Sequence, residues 1–270
     1  MPIDPATLDA ATISARLPAG AGLTVEVVRE TGSTNADIAE AARAGRTRPC
    51  VRFALQQTAG KGRAGRAWHG AAGDSLMFSL GVPMPCPPAR CAGLSLAVGV
   101  SLACTLRGFG APVRLKWPND LILGEGKLGG VLIELVNADE GGTYAVIGVG
   151  INVAGAKALS ARTGRPVSDL AGAVAGTVDA NALAAAIVAG LLDATARFAR
   201  DGLAPVRDDW RALHAHEGLP VEIRDGERTL ARGIARSIDA DGRLLLESDG
   251  TIVPIASGDV SLRARAGTPA

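Results

Sequence analysis

The strongest constraint on how this chain folds is a change of texture at Glu217. Beyond it, short alternating runs over 221–224, 230–234 and 244–247 are separated by Asp225-Gly226, Asp241-Gly242 and Asp249-Gly250. Asp-Gly pairs suit two-residue hairpin turns, whose central positions need positive φ. The spacing predicts a small all-β domain over 217–264, a half-open barrel, with a frayed tail over 265–270. Upstream the texture is mixed. A strand over 25–30 leads to a helix capped by Thr34, with Asp37 completing a capping-box-like pair and Gly45 ending it. Strands over 51–57 and 76–82 follow, then the prolines Pro83, Pro85, Pro87 and Pro88 turn the chain before an apolar helix over 89–107. Strands over 113–116, 127–136 and 144–149, a loop over 154–177, and helices over 179–202 and 205–216 complete the reading. The domain over 25–216 is expected to hold one mixed sheet, preceded by an N-terminal extension over 1–24.

Whole-chain properties bound the function. With 270 residues the chain can bury one sizeable core and carry a second small domain. A net charge of +1 removes the electrostatic footprint of a protein whose main partner is nucleic acid, so local basic loops read first as ligand sites. The N-terminus lacks a basic flank followed by an apolar run. The longest charge-free apolar stretch, between Arg90 and Arg107, falls short of the ~20 residues of a spanning helix and reads as a buried helix. Cys50, Cys86, Cys91 and Cys104 form no C-x-x-C pair, which favours reduced thiols and a cytoplasmic location. Three histidines argue against a zinc site, and no metal site made by protein ligands alone is expected.

Chemistry concentrates in four places. Gly60-Lys61-Gly62-Arg63-Ala64-Gly65-Arg66-Ala67-Trp68 packs three glycines and three cations into nine residues. Such a loop either closes on an anion through backbone N–H groups and side-chain charge, or is a solvated surface turn. Its G-x-G-x-x-G spacing lacks the helix that should follow in a dinucleotide fold, and Arg66-Ala67 rules out the G-K-[ST] ending of a phosphate loop. Lys116-Trp117-Pro118-Asn119-Asp120 places a cation, an aromatic and polar side chains at a strand end, where Trp117 either stacks a base or serves as core. In Lys127-Leu128-Gly129-Gly130, glycines interrupt a strand beside a lone cation, marking either ligand approach or a bulge. Gly148-Val149-Gly150-Ile151-Asn152 is either a further ligand edge or a plain strand exit. Together they suggest a ligand with at least two anionic groups and a base.

With Ser33-Thr34-Asn35 and Gln57-Thr58-Ala59 added, these motifs resemble, in order, the motif set of bacterial biotin protein ligases, over about 25–263. The resemblance implies an α+β fold: a mixed-sheet catalytic domain of the class II synthetase-like biotin/lipoate ligase type, then a small SH3-like β domain. It implies biotin and ATP as substrates, a biotinyl-5′-adenylate intermediate, and transfer to a lysine of a biotin carboxyl carrier protein. Carried over by position, Arg63 and Lys127 would be catalytic, offsetting the repulsion between biotin's carboxylate and the α-phosphate. Ser33, Thr34, Asn35, Gln57, Lys61, Gly62, Arg63 and Lys127 would bind biotin. Arg66, Trp68, Lys116, Asn119, Asp120 and Asn152 would bind ATP or the adenylate, and Mg²⁺ would arrive with the phosphates. Asp120 is also a candidate base for the acceptor lysine.

Two departures stand out. Lys61 occupies a position where the family more often has arginine, so charge is kept and bidentate geometry lost. The family's repressors carry an N-terminal helix-turn-helix, whereas about twenty-four residues precede the first strand here, so DNA binding is not expected. A monomer or homodimer without a membrane partner is expected. A lipoate ligase is the alternative on the same fold, and would show an apolar channel in place of the Ser33-Thr34-Asn35 set. A nucleic-acid-binding or adenylate-sensing barrel is disfavoured, because that segment lacks an aromatic platform.

Overall fold

The computed structural model describes residues 3–70, 73–137, 142–258 and 260–264, so the expected tail over 265–270 lies outside the described residues. Ahead of the first strand, a 3-10 turn (Pro5–Thr7) and helix α1 (Ala10–Ala15) press Ile3, Leu8 and Ile13 into the core. Asp9 caps α1 by accepting from Thr12 N (2.8 Å), and its own N–H donates to Asn181 Oδ1 (2.8 Å). This segment is therefore stitched into the domain that follows.

Strand β1 (Thr24–Thr31) pairs in parallel with β2 (Cys50–Gln57), and helix α2 (Thr34–Arg43) makes the crossover a parallel pair requires. Then come β3 (Ser75–Met84), α3 (Leu94–Gly108), β4 (Arg114–Lys116), β5 (Asp120–Leu123), β6 (Gly126–Asn137) and β7 (Thr143–Asn152). The strands form one mixed seven-stranded sheet, β1-β2-β3-β7-β6-β5-β4, antiparallel except at its first pair. After β7 lie α4 (Ala156–Thr163), α5 (Ala180–Asp201) and α6 (Arg207–Leu213).

Strand alternation decides which side holds the core and which the site. In β3, Leu76, Phe78, Leu80, Val82 and Met84 join the main core, as do Ala145, Ile147, Val149 and Ile151 of β7. Helices α3 and α5 cover that face and pack on one another. Pro88–Gly108 and Ala180–Asp201 are long and apolar enough to cross a membrane by composition, and here that apolarity fills the core. On the opposite face α2 covers Val136, Tyr144 and Val146 through Ile38, Ala39 and Ala42. Farther along β7, Gly148, Gly150 and Asn152 carry that face into a cavity.

Several local expectations are corrected. Ser33, not Thr34, occupies the cap position of α2, and it makes no capping bond. Thr34 begins the helix, with its N–H donating to Gln57 Oε1 (2.8 Å), while the Asp37 carboxylate accepts from Thr31 Oγ1 (2.7 Å) and Arg52 (3.0 Å). Tertiary partners thus displace the local capping box. The apolar helix starts at Leu94, because Pro88–Cys91 forms a 3-10 turn and Gly93 adopts a φ of +83°. Strand β5 was hidden in the polar turn Pro118-Asn119-Asp120, and α4 lies inside the expected loop because Leu159 is its one buried side chain.

The second sheet holds β8 (Pro220–Asp225), β9 (Arg228–Ile238), β10 (Leu244–Ser248), β11 (Thr251–Ile255) and β12 (Ser261–Ala264), ordered β11-β10-β9-β8-β12 and wholly antiparallel. Asp249 and Gly250 both take positive φ (50° and 74°), as a tight hairpin requires. Val221, Ile223, Ala235, Leu244, Leu246 and Leu262 fill its interior. The first sheet is tied to the β9–β10 turn of the second by the Trp117 indole N–H donating to Gly242 O (3.1 Å), and the chain leading into the second sheet is tied back by Ala215 N donating to Leu115 O (2.7 Å). Trp117 is 1% exposed, so of its two readings the core role holds.

Candidate active site

A cavity of about 440 Å³ opens on the face of the sheet that α2 leaves uncovered. That size suits a small ligand. Every residue that the sequence assigned to biotin or ATP lines it: Ser33, Thr34, Asn35, Gln57, Lys61, Gly62, Arg63, Arg66, Trp68, Lys116, Asn119, Asp120, Lys127 and Asn152. The four motifs lie at strand ends of one sheet, as expected.

Strand β7 acts as a ruler along the cavity floor. Gly148, Gly150 and Asn152 share a face, and four residues of strand span about 13 Å. At Gly148 a Cβ would fall 2.3 Å from Asn35 Oδ1; at Gly150 it would fall 2.4 Å from Trp68 Cε2. These two glycines exist so that an amide and an indole can lie on the sheet. Asn152 ends the ruler, its amide donating to Lys127 O (3.3 Å) and Ser168 O (3.2 Å). The NH2 group of Asn152 thus donates to backbone carbonyls, while the residue itself lines the cavity.

The Gly148 end is neutral and polar. Ser33, Thr34 and Asn35 are each 3% exposed. The Asn35 amide donates to Glu134 Oε2 (2.7 Å), and its Oδ1 accepts from Ser79 Oγ (2.6 Å). Thr34 Oγ1 lies 2.7 Å from Ser79 Oγ and 3.3 Å from Gln57 Oε1. Buried hydroxyls and amides locked by one another present fixed donors and acceptors to a neutral polar ring. Ser79 and Glu134 were missed, although a serine among the apolar residues of the 76–82 run was a visible signal.

The other end is cationic. The loop after β2 is a tight hairpin: Gly62 N donates to Arg66 O (2.7 Å) and Trp68 N to Gly60 O (2.9 Å). Ala64 and Gly65 carry positive φ (54° and 68°), and Ala64 does so without glycine's freedom. Arg63 reaches Asn119 Oδ1 (3.5 Å), Gly258 O (2.6 Å) and Ser257 O, so the connection between β11 and β12 holds the loop. Lys127 pairs with Asp120 (2.5 Å) and lies 6.0 Å from the centroid of the Trp68 ring. The Trp68 indole N–H is buried without a partner among the described residues, a donor beside the cavity. Burial holds the Lys116 ammonium below its usual pKa; Asp120 opposes that shift, while Arg263, Lys127 and Arg165 add to it. Lys61, Arg63, Arg66, Lys116, Lys127, Arg165 and Arg263 line the cavity against two carboxylates, Asp120 and Glu125. In a chain of net charge +1 this is a local concentration of positive charge suited to a polyanion. Among the described residues no three His, Cys, Asp or Glu side chains cluster as a metal site.

The chain is similar to known proteins. The family model described as Biotin/lipoate A/B protein ligase family matches residues 28–152, and that of the biotin protein ligase C terminal domain matches 216–263. The bifunctional ligase/repressor BirA of Salmonella typhimurium is 37% identical over 257 residues, covering 95% of this chain and 78% of the relative. The biotin–acetyl-CoA-carboxylase ligase of Mycobacterium tuberculosis is 35% identical over 244 residues, covering 87% and 88%. The solved biotin protein ligase from Aquifex aeolicus, in complex with biotin and ATP, shares the fold with a TM-score of 0.74 at 23% identity, over 89% of this chain and 99% of that one. The chain belongs to the biotin/lipoate A/B protein ligase family. Within that family, its relatives and its C-terminal domain put it with the biotin protein ligases.

Proposed function

We propose that this enzyme activates biotin with ATP and transfers it to a lysine of a biotin carboxyl carrier protein. The observation that carries the reading is the polarity of the cavity: locked hydroxyls and amides at Gly148, and cations farther along β7, with the Lys127 ammonium beside Gly130, the partner of Gly150. A ureido ring fits the first end, and a carboxylate facing a triphosphate fits the second. A lipoyl or octanoyl chain would have no use for Thr34, Asn35, Gln57 and Ser79 held by mutual hydrogen bonds.

In the first step a biotin carboxylate oxygen bonds to the α-phosphorus as the bond to the β-phosphate oxygen breaks, releasing pyrophosphate. Both reactants are anions, so Lys127 and Arg63 lower their mutual repulsion and the charge of the transition state. Phosphate oxygens are stronger partners for a guanidinium than the carbonyls of Ser257 and Gly258, so ATP competes for Arg63. In the second step the lysine nitrogen attacks the acyl carbon, the C–N bond forms, AMP leaves, and the amine proton passes to a base, for which Asp120 is the nearest carboxylate to Lys127. The donor set suits Mg²⁺ carried by the nucleotide: Asp120 is tied to Lys127, and Mg²⁺ favours phosphates and water with few carboxylates. Bound there, the ion would neutralise phosphate charge.

The test is mass spectrometry of a purified carrier domain incubated with the protein, biotin and ATP. One biotinyl group should appear on one lysine, with AMP and pyrophosphate formed. Arg63→Ala and Lys127→Ala should slow adenylate formation far more than Ser33→Ala. Equal, modest losses in all three would refute the assigned roles.

A further inference from the structure

Behind the neutral end of the cavity stands a carboxylate that does not itself line it. Glu134 of β6 lies opposite Val146 of β7, two residues along from the Leu132–Gly148 pair, on the side that α2 covers. It is half-buried, and no Lys, Arg or His among the described residues forms an ion pair with it. Away from a cation, a half-buried carboxylate leans on hydrogen-bond donors. Here the donor is Asn35 Nδ2, 2.7 Å from Glu134 Oε2. Asn35, Ser79 and Thr34 continue the chain of hydrogen bonds from that point, and all three line the cavity.

A carboxylate brings no proton to a hydrogen bond, an amide carries protons on its nitrogen alone, and a hydroxyl has one proton to give. These counts fix a direction. Glu134 turns the Asn35 NH2 group toward itself, so Oδ1 faces Ser79 and takes the Ser79 proton at 2.6 Å. With that proton spent, the 2.7 Å contact between Ser79 Oγ and Thr34 Oγ1 needs the proton of Thr34. Gln57 Oε1, 3.3 Å from Thr34 Oγ1, is supplied by Thr34 N at 2.8 Å instead. Thr34 Oγ1 is left with lone pairs alone and faces the ligand as an acceptor. A neutral amide in place of the carboxylate could accept or donate, so the same chain could run either way, and the reversed chain would free the Thr34 proton.

We propose that Glu134 is a positioning residue for biotin recognition: acting through Asn35 and Ser79, its carboxylate sets the direction of the protons and holds Thr34 Oγ1 as the acceptor that a ureido N–H needs. The assignment rests on the biotin reading given above. It explains why a carboxylate without a cation stands behind a wall of neutral groups. A carboxylate that served only to favour the start of α2 through the helix dipole would stabilise the fold without setting this direction.

Biotin calorimetry on the full chain, with thermal melts and steady-state adenylation, tests this on Glu134→Gln, Asn35→Asp and the exchanged pair Asn35→Asp/Glu134→Gln. Glu134→Gln keeps the shape and loses the direction, so the Kd for biotin should rise about fivefold, the difference between a charged and a neutral acceptor, while kcat and the KM for ATP stay within about twofold. Asn35→Asp sets two carboxylates against each other and should weaken biotin at least ~tenfold. In the exchanged pair the new amide donates to the new carboxylate, which still accepts from Ser79, so the direction returns and the Kd should recover to within about threefold of wild type. Losses in the two single variants that simply multiply in the exchanged pair would overturn the proposal. So would a Glu134→Gln protein with a lowered melting temperature and an unchanged Kd, the result of a role at α2 alone. Wild-type protein that binds no biotin would instead remove the biotin reading itself, so the two failures are distinguishable.

Discussion

Replacing Gly148 by alanine should damage the neutral end of the cavity and leave the cationic end working. The new Cβ would lie 2.3 Å from Asn35 Oδ1 and 2.9 Å from its Cγ, against the ~3.5 Å of an unstrained contact, so Asn35 must retreat by about 1 Å. It is not free to do so. Ser79 Oγ donates to it at 2.6 Å and Glu134 accepts from it at 2.7 Å, while β7 is clamped between β3 and β6. Losing the bond to the carboxylate costs about 1.5–3 kcal/mol, in the same range as overpacking by one methyl group. At roughly 2–4 °C per kcal/mol for a chain of this size, the melting temperature should fall by about 3–12 °C. A misplacement of ~1 Å in a ligand-contacting group can cost up to ~100-fold, so the KM for biotin should rise at least tenfold. The KM for ATP, set by the cations farther along β7, should move less than threefold. Steady-state adenylation with each substrate varied, together with thermal melts, measures all three quantities. A lowered melting temperature with an unchanged biotin KM would refute the placement of biotin at Asn35; no change in either would refute the clash.

Trp117→Phe should leave Gly242 O without its indole donor at the joint between the sheets, lowering stability by ~1–3 kcal/mol in denaturant melts while the biotin KM holds; an unchanged melt would contradict that joint. Acid should weaken the same joint, because burial, with His214, Lys116 and Arg114 adjacent, holds the His216 imidazole down at about 4 from 6.5. The unfolded chain then binds the proton first, so stability is full above pH ~6.5 and falls as pH drops toward 4, by up to ~3 kcal/mol. Denaturant melts from pH 7 to 4.5 should show this slope, reduced in His216→Asn; identical slopes would refute it. Lys61→Arg should change kcat/KM for biotin less than fivefold, since the loop keeps its charge and its backbone bonds Gly62 N to Arg66 O and Trp68 N to Gly60 O; a change above tenfold would show that guanidinium geometry matters there.

Most of the cavity was legible because its residues are unusual for where they sit. Glycines at 148 and 150 interrupt a run that would otherwise fill both faces of a central strand, and the structure uses each gap for one side chain, Asn35 or Trp68. Asp-Gly turns marked the second sheet because their geometry is local. Features set by distant partners were hidden. Thr34 and Asp37 read as a capping box until Gln57 and Arg52 claimed them. Helix α4 gave little periodicity because it is held by staples from Asp169 and Val167 rather than by an apolar face. Arg165, between Gly164 and Pro166, carried no signal until the Val167–Lys127 bridge brought its segment to the cavity.

The central claim is tested most directly by exchange of labelled pyrophosphate into ATP, run with biotin and separately with lipoate. Adenylate formation at a cavity with one neutral polar end and one cationic end predicts rapid exchange with biotin, none without it, and little with lipoate. Exchange driven by lipoate and absent with biotin would contradict the account.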